Sequence, residues 1–374
     1  MKNSFVIGKI KGIMIEINIS WFIIFALVTY SLAASYFPVN YPEMDPTSRW
    51  VLGIIISLMF FVSVLLHELS HSLVSVSLGI PIKKITLLIF GGIAQIEKEP
   101  DEPIKELKIA IAGPAMSIFL FALFMLLANI FIYIGAPEVV VVPFAYLSSV
   151  NLVLAIFNLV PAFPMDGGRV LRALIWHFSG DLQKATKFSS DMGRLFAYFL
   201  IFTGVFLILS NDFLNGIWLA FIGWFINQMS QSSYQSMVMS DIFDKIHISE
   251  FMTDKVVVVD YHISVQELVD SYFYKYKFAI FPVKRNEEII GIVHAGSVKT
   301  LQKESRIQND VGSIITPLAD NFIVSPEDTV SAAMAKLFGN GIGRVLVMDQ
   351  GNLIGIVSNT DILNYLRLYN QLNR

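Results

Sequence analysis

The residues best suited to chemistry lie in the segment 67–71, with the sequence H-E-L-S-H, directly after the uncharged apolar run 51–66. An ionisable side chain in the middle of a membrane span costs roughly 2.5–3.5 kcal/mol, so such residues usually serve a function. Residues four apart share one face of a helix, so His67 and His71 can bind the same zinc ion. Glu68 can then take a proton from a zinc-bound water. The alternative is a chance match, which the apolar setting disfavours.

The composition indicates a membrane protein with a soluble part. Hydrophobic residues make up 55% of the 374 residues and the mean hydropathy is +0.62, above the roughly 45–50% apolar share of soluble domains. The apolar excess lies before about residue 230. The net charge of −3 gives no electrostatic argument for nucleic-acid binding. The absence of cysteine excludes disulfides and thiolate zinc sites, so any metal must be held by nitrogen and oxygen.

Hydropathy predicts six membrane spans. Their approximate limits are 17–36, 51–78, 109–134, 143–162, 195–210 and 213–230. With a cytosolic N-terminus, Arg49 is the one Lys or Arg in the outer segments, and the others before residue 230 lie in cytosolic segments. We therefore expect a multi-pass protein of the cell membrane with both termini in the cytosol. The first span lacks a cleavage site and is interpreted as retained, not as a signal peptide.

A catalytic zinc site needs a third protein ligand beside the two histidines. The second and fourth spans both run inward, and at 1.5 Å per residue they bring His67, His71 and Asp166 to a similar depth. Asp166 lies in a segment where prolines and glycines interrupt the helix, which a membrane tolerates only where protein or water surrounds it. A helix N-cap, for a helix beginning near Gly168, is the alternative role of this residue.

At this point the chain resembles the site-2 protease family of intramembrane zinc metalloproteases, over residues 1–230. The resemblance rests on H-E-L-S-H at 67–71 paired with N-x-x-P-x-x-P-x-D-G-G-R at 158–169. It implies zinc ligands, a general base and an oxyanion-stabilising residue. These are His67, His71 and Asp166 for zinc, Glu68 as the base, and Asn158 for the oxyanion.

The residue types and their spacing do not decide the roles of two positions in these motifs. Asn158 could equally make a polar contact between helices. Ser117 stands where many relatives carry an asparagine after Gly113-Pro114, and the sequence assigns it no role.

The segment 85–96 predicts a short membrane-associated β-hairpin. Strands at 85–90 and 93–96 would flank a two-glycine turn formed by Gly91 and Gly92. A helical peptide bond must be unwound before hydrolysis, and a free strand edge could pair with the extended substrate. The resemblance implies the same role. A simple re-entrant cap is the alternative.

The last third contains an internal repeat with the strand pairs 278–283 and 289–293 in one copy and 344–348 and 353–357 in the other. This region looks like a tandem pair of CBS domains, a module that often binds adenine nucleotides and offers a homodimer interface. The predicted divisions are a membrane domain at 1–230, a linker at 231–244, and CBS repeats at 245–306 and 307–374.

The second repeat carries the family's Ser-x-x-Asp pattern at Ser358 and Asp361, where phosphate and ribose would be contacted. The first repeat has His294-Ala-Gly-Ser297 instead, so one site for ATP, ADP or AMP is expected. A helix N-cap would use Ser358 and Asp361 equally well.

The predicted fold is therefore a polytopic α-helical membrane domain with a short β-hairpin, followed by a cytosolic α/β CBS pair. The predicted function is hydrolysis of a peptide bond in or beside the membrane segment of a single-span substrate in the lipid bilayer. It uses one Zn²⁺ per chain, and nucleotide binding to the CBS pair would regulate it. The alternatives are a zinc transporter or sensor gated by the CBS pair, which would not need Glu68, and a catalytically silent scaffold.

Overall fold

A computed structural model of the protein describes residues 4–89, 91–96 and 99–372. The chain divides into two compact units, residues 1–237 and 238–374, and each is considered by itself.

The first part of the chain is dominated by long apolar helices. They are α1 (Ile19–Ser31), α2 (Phe37–Asn40), α3 (Pro46–Ser77), α4 (Pro103–Tyr133), α5 (Glu138–Asn158), α6 (Asp166–Ser179), α7 (Leu182–Leu209) and α8 (Phe213–Phe243). A π-helical turn, Leu32–Tyr36, joins α1 to α2. Among the described residues, five segments are long and apolar enough to cross a membrane: Ile19–Asn40, α3, α4, α5 and α7.

The polytopic membrane domain is thus confirmed, with differences at the predicted limits. The sixth predicted span, 213–230, forms the first part of α8, which is not among the five segments. The fifth was expected to begin at 195, but α7 begins at Leu182. Its N-cap Asp181 accepts a hydrogen bond from the backbone N–H of Lys184 at 3.0 Å. Hydropathy placed the start of this helix too late, because its N-cap and first turns are polar.

A four-stranded sheet lies beside these helices. Its strands are β1 (Ser4–Ile10), β2 (Ile13–Asn18), β3 (Ile82–Leu88) and β4 (Gly91–Ile96), in the order β1-β2-β3-β4. β2 pairs with β3 in parallel, and the other two pairs are antiparallel. The sequence predicted only the β3–β4 hairpin, because 17–36 was interpreted as a span and the preceding residues were left unassigned. β4 forms one edge of the sheet.

The predicted two-glycine turn is wrong in its position. The register pairs Leu88 with Gly91 and Leu87 with Gly92, so both glycines belong to β4 rather than to the turn. Phe90 lies outside the described residues. Gly91 has a φ of 119°, a conformation that favours glycine, which explains one of the two glycines.

The helices α3, α4 and α5 pack around an apolar core in which Ile56, Leu120 and Leu147 are buried. Asn151 is the polar exception on α5. Its side-chain amide donates to the Leu147 carbonyl at 2.8 Å and to the Ser63 hydroxyl at 3.3 Å. These bonds join α5 to α3, so Asn151 acts in helix packing.

The second unit contains two small α/β repeats. The first has β5 (Val259–Asp260), α9 (Val265–Glu267), α10 (Tyr274–Tyr276), β6 (Ile280–Arg285), β7 (Glu288–His294) and β8 (Thr316–Pro317). The second has β9 (Ile323–Val324), α11 (Val330–Gly339), β10 (Arg344–Asp349), β11 (Asn352–Ser358) and α12 (Asn359–Leu372). The sheet orders are β5-β6-β7-β8 and β11-β10-β9.

The two repeats exchange segments. Thr253, which precedes the first repeat's strands, forms a β-bridge with Ile356 of the second repeat. Ile248 is fully buried in the core of the second repeat, beside Val330 and Val345. In return, β8, which belongs to the sheet of the first repeat but lies within the predicted bounds 307–374 of the second, pairs with β7. Each repeat is therefore completed by a segment that precedes the other repeat in the sequence.

Candidate metal centre

The structure brings His67, His71 and Asp166 into one cluster. His67 Nε2 and His71 Nε2 each lie 3.1 Å from Asp166 Oδ2, and the two Nε2 atoms lie 3.3 Å apart. Both imidazoles are buried, and the Asp166 side chain is only 15% exposed. Within the described part of the chain, these three residues form the group of His, Asp and Glu side chains that could hold a metal ion.

The spacing of these atoms fits a zinc ion. Zinc lies about 2.0–2.2 Å from nitrogen and oxygen ligands in tetrahedral sites, so neighbouring ligand atoms should be roughly 3.3–3.6 Å apart. The observed separations of 3.1–3.3 Å lie at or slightly below the lower end of that range. The two Nε2 atoms and Asp166 Oδ2 would supply three ligands to a zinc ion. The fourth position would remain for water or substrate, as in catalytic zinc sites.

The outer nitrogens of both histidines have partners on α4. His71 Nδ1 lies 2.6 Å from the carbonyl oxygen of Ile109, so in the neutral imidazole Nδ1 carries the proton and Nε2 keeps a lone pair for the cluster. His67 Nδ1 lies 2.9 Å from the Ser117 hydroxyl. Such partners fix the tautomer and the ring orientation of metal-binding histidines.

α4 also approaches the cluster unusually closely. A Cβ atom placed on Gly113 would overlap the Nε2 atoms of His67 and His71. Gly113 therefore lets the helix backbone pass directly beside both imidazoles. The supporting roles of Ser117, Ile109 and Gly113 were not predicted from the sequence. A signal was present, since Gly113 and Ser117 are four apart and share one face of an apolar helix.

Asp166 is not the N-cap of a helix, which was the alternative role for this residue. α6 begins at Asp166 itself, and the N-cap is Met165, whose side chain makes no capping bond. The carboxylate contacts the two imidazoles instead. The D-G-G sequence has a steric reason, because a Cβ on Gly167 or Gly168 would overlap the backbone of the loop 159–163, which folds back against α6.

A cavity of about 1000 Å³ surrounds the cluster and is called the central cavity here. Its lining includes the three clustered residues, Glu68, Asn158 and Arg169, together with residues of β4 and apolar side chains of α1, α3, α5 and α8. Glu68 lies directly beside β4, because a Cβ atom on Gly92 would overlap the Glu68 side chain. Thus Glu68, the His67–His71–Asp166 cluster and the edge strand β4 border the same cavity.

Asn158 is the last residue of α5 and lines the central cavity. Within the described part of the chain its side chain makes no hydrogen bond, in contrast to Asn151 on the same helix. The alternative of a polar contact between helices therefore has support for Asn151 and none for Asn158. Asn158 keeps its amide available to a molecule in the cavity.

Ser358 and Asp361 make the hydrogen bonds of a helix cap. The Ser358 hydroxyl accepts from the Asp361 backbone N–H at 3.3 Å, and Asp361 Oδ2 accepts from the Ser358 backbone N–H at 2.8 Å. This reciprocal pair is a capping box at the start of α12, with aspartate in the place of the more usual glutamate. In the first repeat, His294 Nδ1 accepts from the Ser297 N–H at 3.1 Å, so an imidazole takes the position of the serine hydroxyl.

The same two residues also line a cavity of about 110 Å³ in the second unit. Lys255, Arg344 and the aromatic ring of Phe278 contribute to its wall. The Arg344 guanidinium lies over the Phe278 ring, 5.5 Å from its centre. Burial lowers the pKa of Arg344, while the nearby Asp361 carboxylate acts in the opposite direction. Arginine nevertheless stays charged in proteins, so the cavity carries two cations.

Comparisons with known proteins identify the families that the two parts of the chain resemble. The model of Peptidase family M50 matches residues 55–135 and 131–202, and the CBS domain model matches 248–303 and 311–368. The chain is 33% identical over 369 residues to zinc metalloprotease MJ0392 of Methanocaldococcus jannaschii, covering 98% of this chain and 97% of that protein. Stage IV sporulation protein FB of Bacillus subtilis is 35% identical over 144 residues, covering 37% of this chain and 46% of that protein.

Among solved structures, the site-2 protease from Methanocaldococcus jannaschii is similar to this chain, with 33% sequence identity and a TM-score of 0.42. The match covers 62% of this chain and 95% of that chain.

Proposed function

Because this chain belongs to peptidase family M50, the site-2 protease family of zinc metalloproteases, we propose that it hydrolyses a peptide bond in or beside the membrane segment of a single-span membrane protein. The observation that carries the proposal is the central cavity. It holds the His67–His71–Asp166 cluster and Glu68 among apolar helices, with an edge strand along its wall. A cavity with apolar walls and a few converging polar groups is the usual form of a catalytic site.

We propose His67, His71 and Asp166 as the ligands of one zinc ion per chain. Two imidazoles and one carboxylate form a donor set known for catalytic zinc, and the 3.1–3.3 Å separations suit it. When bound, zinc would supply a Lewis acid that polarises the scissile carbonyl and makes water more acidic.

Glu68 and Asn158 would do the remaining chemistry. The Glu68 carboxylate takes the proton from the attacking water and gives it to the leaving amide nitrogen. The Asn158 side-chain amide donates a hydrogen bond to the oxygen on which negative charge develops. Both residues line the central cavity, where the many apolar side chains lower the local polarity and so strengthen such interactions.

β4 would present the substrate. A peptide bond within an α-helix is shielded by its own backbone hydrogen bonds, so the substrate must become extended. An edge strand offers unpaired backbone groups to which an extended chain can add as a further strand. Because Gly92 contacts Glu68, a strand added at β4 would bring its peptide bonds next to the general base.

Cleavage in defined vesicles tests this function. The full chain, reconstituted with zinc and a panel of single-span proteins, should cut a substrate within or beside its span. A chelator should abolish the cut, and added zinc should restore it. Cleavage that persists without metal, or cuts confined to distant soluble segments, would contradict the proposal. Zinc accumulation inside sealed vesicles without cleavage would instead favour the transporter alternative.

The strand-addition step has its own test. Synthetic substrates carrying a single N-methyl group lose one backbone donor each. Because alternate residues of a strand face its partner, methylation should inhibit cleavage with a period of two residues. Uniform inhibition, or none, would exclude pairing with β4.

We further propose that the small cavity of the CBS pair binds an adenine nucleotide and that the pair lies in the cytosol. The positive-inside distribution supports the orientation. Lys255 and Arg344 supply cations suited to phosphate, and Phe278 supplies an aromatic face. A nucleotide would regulate proteolysis only if it binds two arrangements of the pair with different affinity.

Calorimetry on the full chain tests this second proposal. ATP, ADP or AMP should bind, and Arg344→Gln should weaken the binding because one cation of the cavity is lost. Lys336→Gln is the matched control, since Lys336 donates to the Ile323 carbonyl and is absent from the cavity wall. No heat with millimolar nucleotide would leave the pair as a docking or dimerisation module.

A further inference from the structure

A buried ion pair, Glu106–Arg172, connects α4 to α6. Glu106 lies in the first turn of α4 and is fully buried, and Arg172 on α6 is 9% exposed. Arg172 Nε donates to Glu106 Oε1 at 2.7 Å, and Arg172 Nη2 contacts the same oxygen. Arg169, whose Nε lies 3.7 Å from that oxygen, also lines the central cavity.

The glutamate belongs to the face of α4 that supports the histidines. Glu106, Ile109, Gly113 and Ser117 recur at helical spacing and so share one face of α4. The last three contact or closely approach the two imidazoles. Glu106 extends this face toward α6, whose first residue is Asp166.

Arg172 also contacts the loop that precedes Asp166. The Arg172 guanidinium lies over the ring of Phe163, 5.3 Å from its centre. Phe163 belongs to the loop that leads into Asp166. Its N–H donates to the Ser189 carbonyl at 3.2 Å, and its carbonyl accepts from the Ser230 hydroxyl at 2.6 Å. Arg172 thus contacts both α4 and the loop that leads into Asp166.

Stability alone is a weak reason for such a pair. Burying two charges costs so much solvation that a buried ion pair often stabilises a protein no more than apolar residues would. Glu106 Oε2 has no hydrogen-bond partner within the described part of the chain, so this carboxylate is incompletely satisfied. The pair does fix the distance between the helix that orients the histidines and the helix that begins with Asp166.

We propose that the Glu106–Arg172 pair is a positioning device that holds Asp166 against the two imidazoles and so sets the affinity of the site for zinc. The proposal rests on the zinc site described under Proposed function. Neither residue touches the reacting atoms in this account, and both act through Asp166. The pair should therefore affect metal binding before it affects anything else.

Zinc affinity of the full chain in detergent, measured by competition with a chelating indicator, is the direct test. Glu106→Gln should weaken binding at least about tenfold, the lower end of the effect of outer-shell substitutions. Arg172→Lys should act in the same direction, because an ammonium group cannot replace a planar fork of donors. The Arg172→Lys variant keeps the charge, and it decides the question if Glu106→Gln does not fold.

Glu16→Gln is the matched control. Glu16 is also buried, and its Oε2 forms an ion pair with Lys84 Nζ at 2.9 Å, between β2 and β3. Its loss should lower the melting temperature of the metal-free protein without changing the zinc affinity. The Co²⁺-loaded protein gives a second readout, since the visible absorption band should shift in Glu106→Gln and Arg172→Lys but not in Glu16→Gln.

Wild-type zinc affinity and an unchanged Co²⁺ band in either folded variant would overturn the positioning role. An equal loss of affinity in Glu16→Gln would also overturn it, because the effect would then be general destabilisation. Failure of the zinc site itself looks different. Wild-type protein that binds no zinc, or binding that is indifferent to His67→Ala, would contradict the proposed function instead.

Discussion

Two aspartates at the start of helices, Asp166 of α6 and Asp361 of α12, have different partners. Each lies near a helix N-terminus, and for each a helix cap was an open alternative. Asp361 takes part in such a cap, since its carboxylate accepts from the Ser358 backbone N–H at 2.8 Å and from the Ser358 hydroxyl at 2.6 Å. Asp166 does not, since its Oδ2 lies 3.1 Å from each imidazole of His67 and His71.

The difference comes from tertiary neighbours rather than from local sequence. Ser358 precedes Asp361 by three residues, which is the spacing of a capping box, so a local partner is available. The residue three before Asp166 is Phe163, which offers no side-chain hydrogen bond. The carboxylate of Asp166 is then free for long-range partners, and α3 supplies two of them. An acidic residue at a helix start thus becomes a ligand candidate where the local cap is missing.

The largest effect should separate the two aspartates directly. Asp166→Ala should weaken zinc binding by more than the roughly 10–100-fold typical of outer-shell substitutions, because a ligand is removed. Asp361→Ala should leave zinc binding unchanged. Metal analysis after competition with a chelator measures both variants. Full zinc occupancy at wild-type affinity in Asp166→Ala would remove this residue from the ligand set.

Next in size is the effect of closing the space beside the imidazoles. Gly113→Ala should reduce zinc affinity about 10–100-fold, because its Cβ overlaps both Nε2 atoms and must displace them. Gly343→Ala is the counterpart near the capping box, where a Cβ would lie 2.7 Å from Asn359 Nδ2. That variant should lose stability, since Gly343 has a φ of 70°, and keep its zinc affinity. Equal zinc affinity in both variants would refute the close approach of α4.

A smaller effect is expected at Ser117. Ser117→Ala removes the hydroxyl that lies 2.9 Å from His67 Nδ1, so the imidazole loses its orienting partner. We expect about a tenfold loss of zinc affinity. Ser148→Ala, which removes a hydroxyl that donates to the Phe121 carbonyl, is a suitable control on α5. Indistinguishable affinities would show that Ser117 does not support the site.

The smallest effect concerns the cap. Asp361→Ala and Thr329→Ala should each lower the free energy of unfolding by about 1 kcal/mol, because each removes an N-terminal helix bond. Only Asp361→Ala should also weaken nucleotide binding, since Thr329 is absent from the cavity wall. Denaturant unfolding and calorimetry separate the two properties. Nucleotide binding that is equally strong in both variants would restrict Asp361 to its structural role.

The membrane fold could be predicted largely from sequence, because hydropathy over about 20 residues is a strong signal. The histidines and Glu68 were equally accessible, since their spacing on one helix face is local information. Asp166 needed the family motif, because 95 residues separate it from His71. The CBS repeat was visible as two similar strand pairs.

The remaining features depend on contacts between distant segments. The parallel pairing of β2 with β3 joins residues about 70 positions apart, which periodicity alone does not indicate. Glycines 91 and 92 looked like a turn, but one serves a positive φ and the other a close contact with Glu68. Ser117 looked like a departure from the family pattern, and its partner lies 50 residues earlier. The segment exchange between CBS repeats was hidden for the same reason.

The central claim is that Glu68 acts as the general base beside a zinc ion held by its neighbours, and one variant tests it most directly. Zinc content and cleavage of a membrane substrate should be measured on the same preparation of Glu68→Gln. The amide cannot accept a proton, so we predict wild-type zinc content with cleavage reduced about 10²–10⁴-fold. Cleavage at the wild-type rate in zinc-loaded Glu68→Gln would contradict the account.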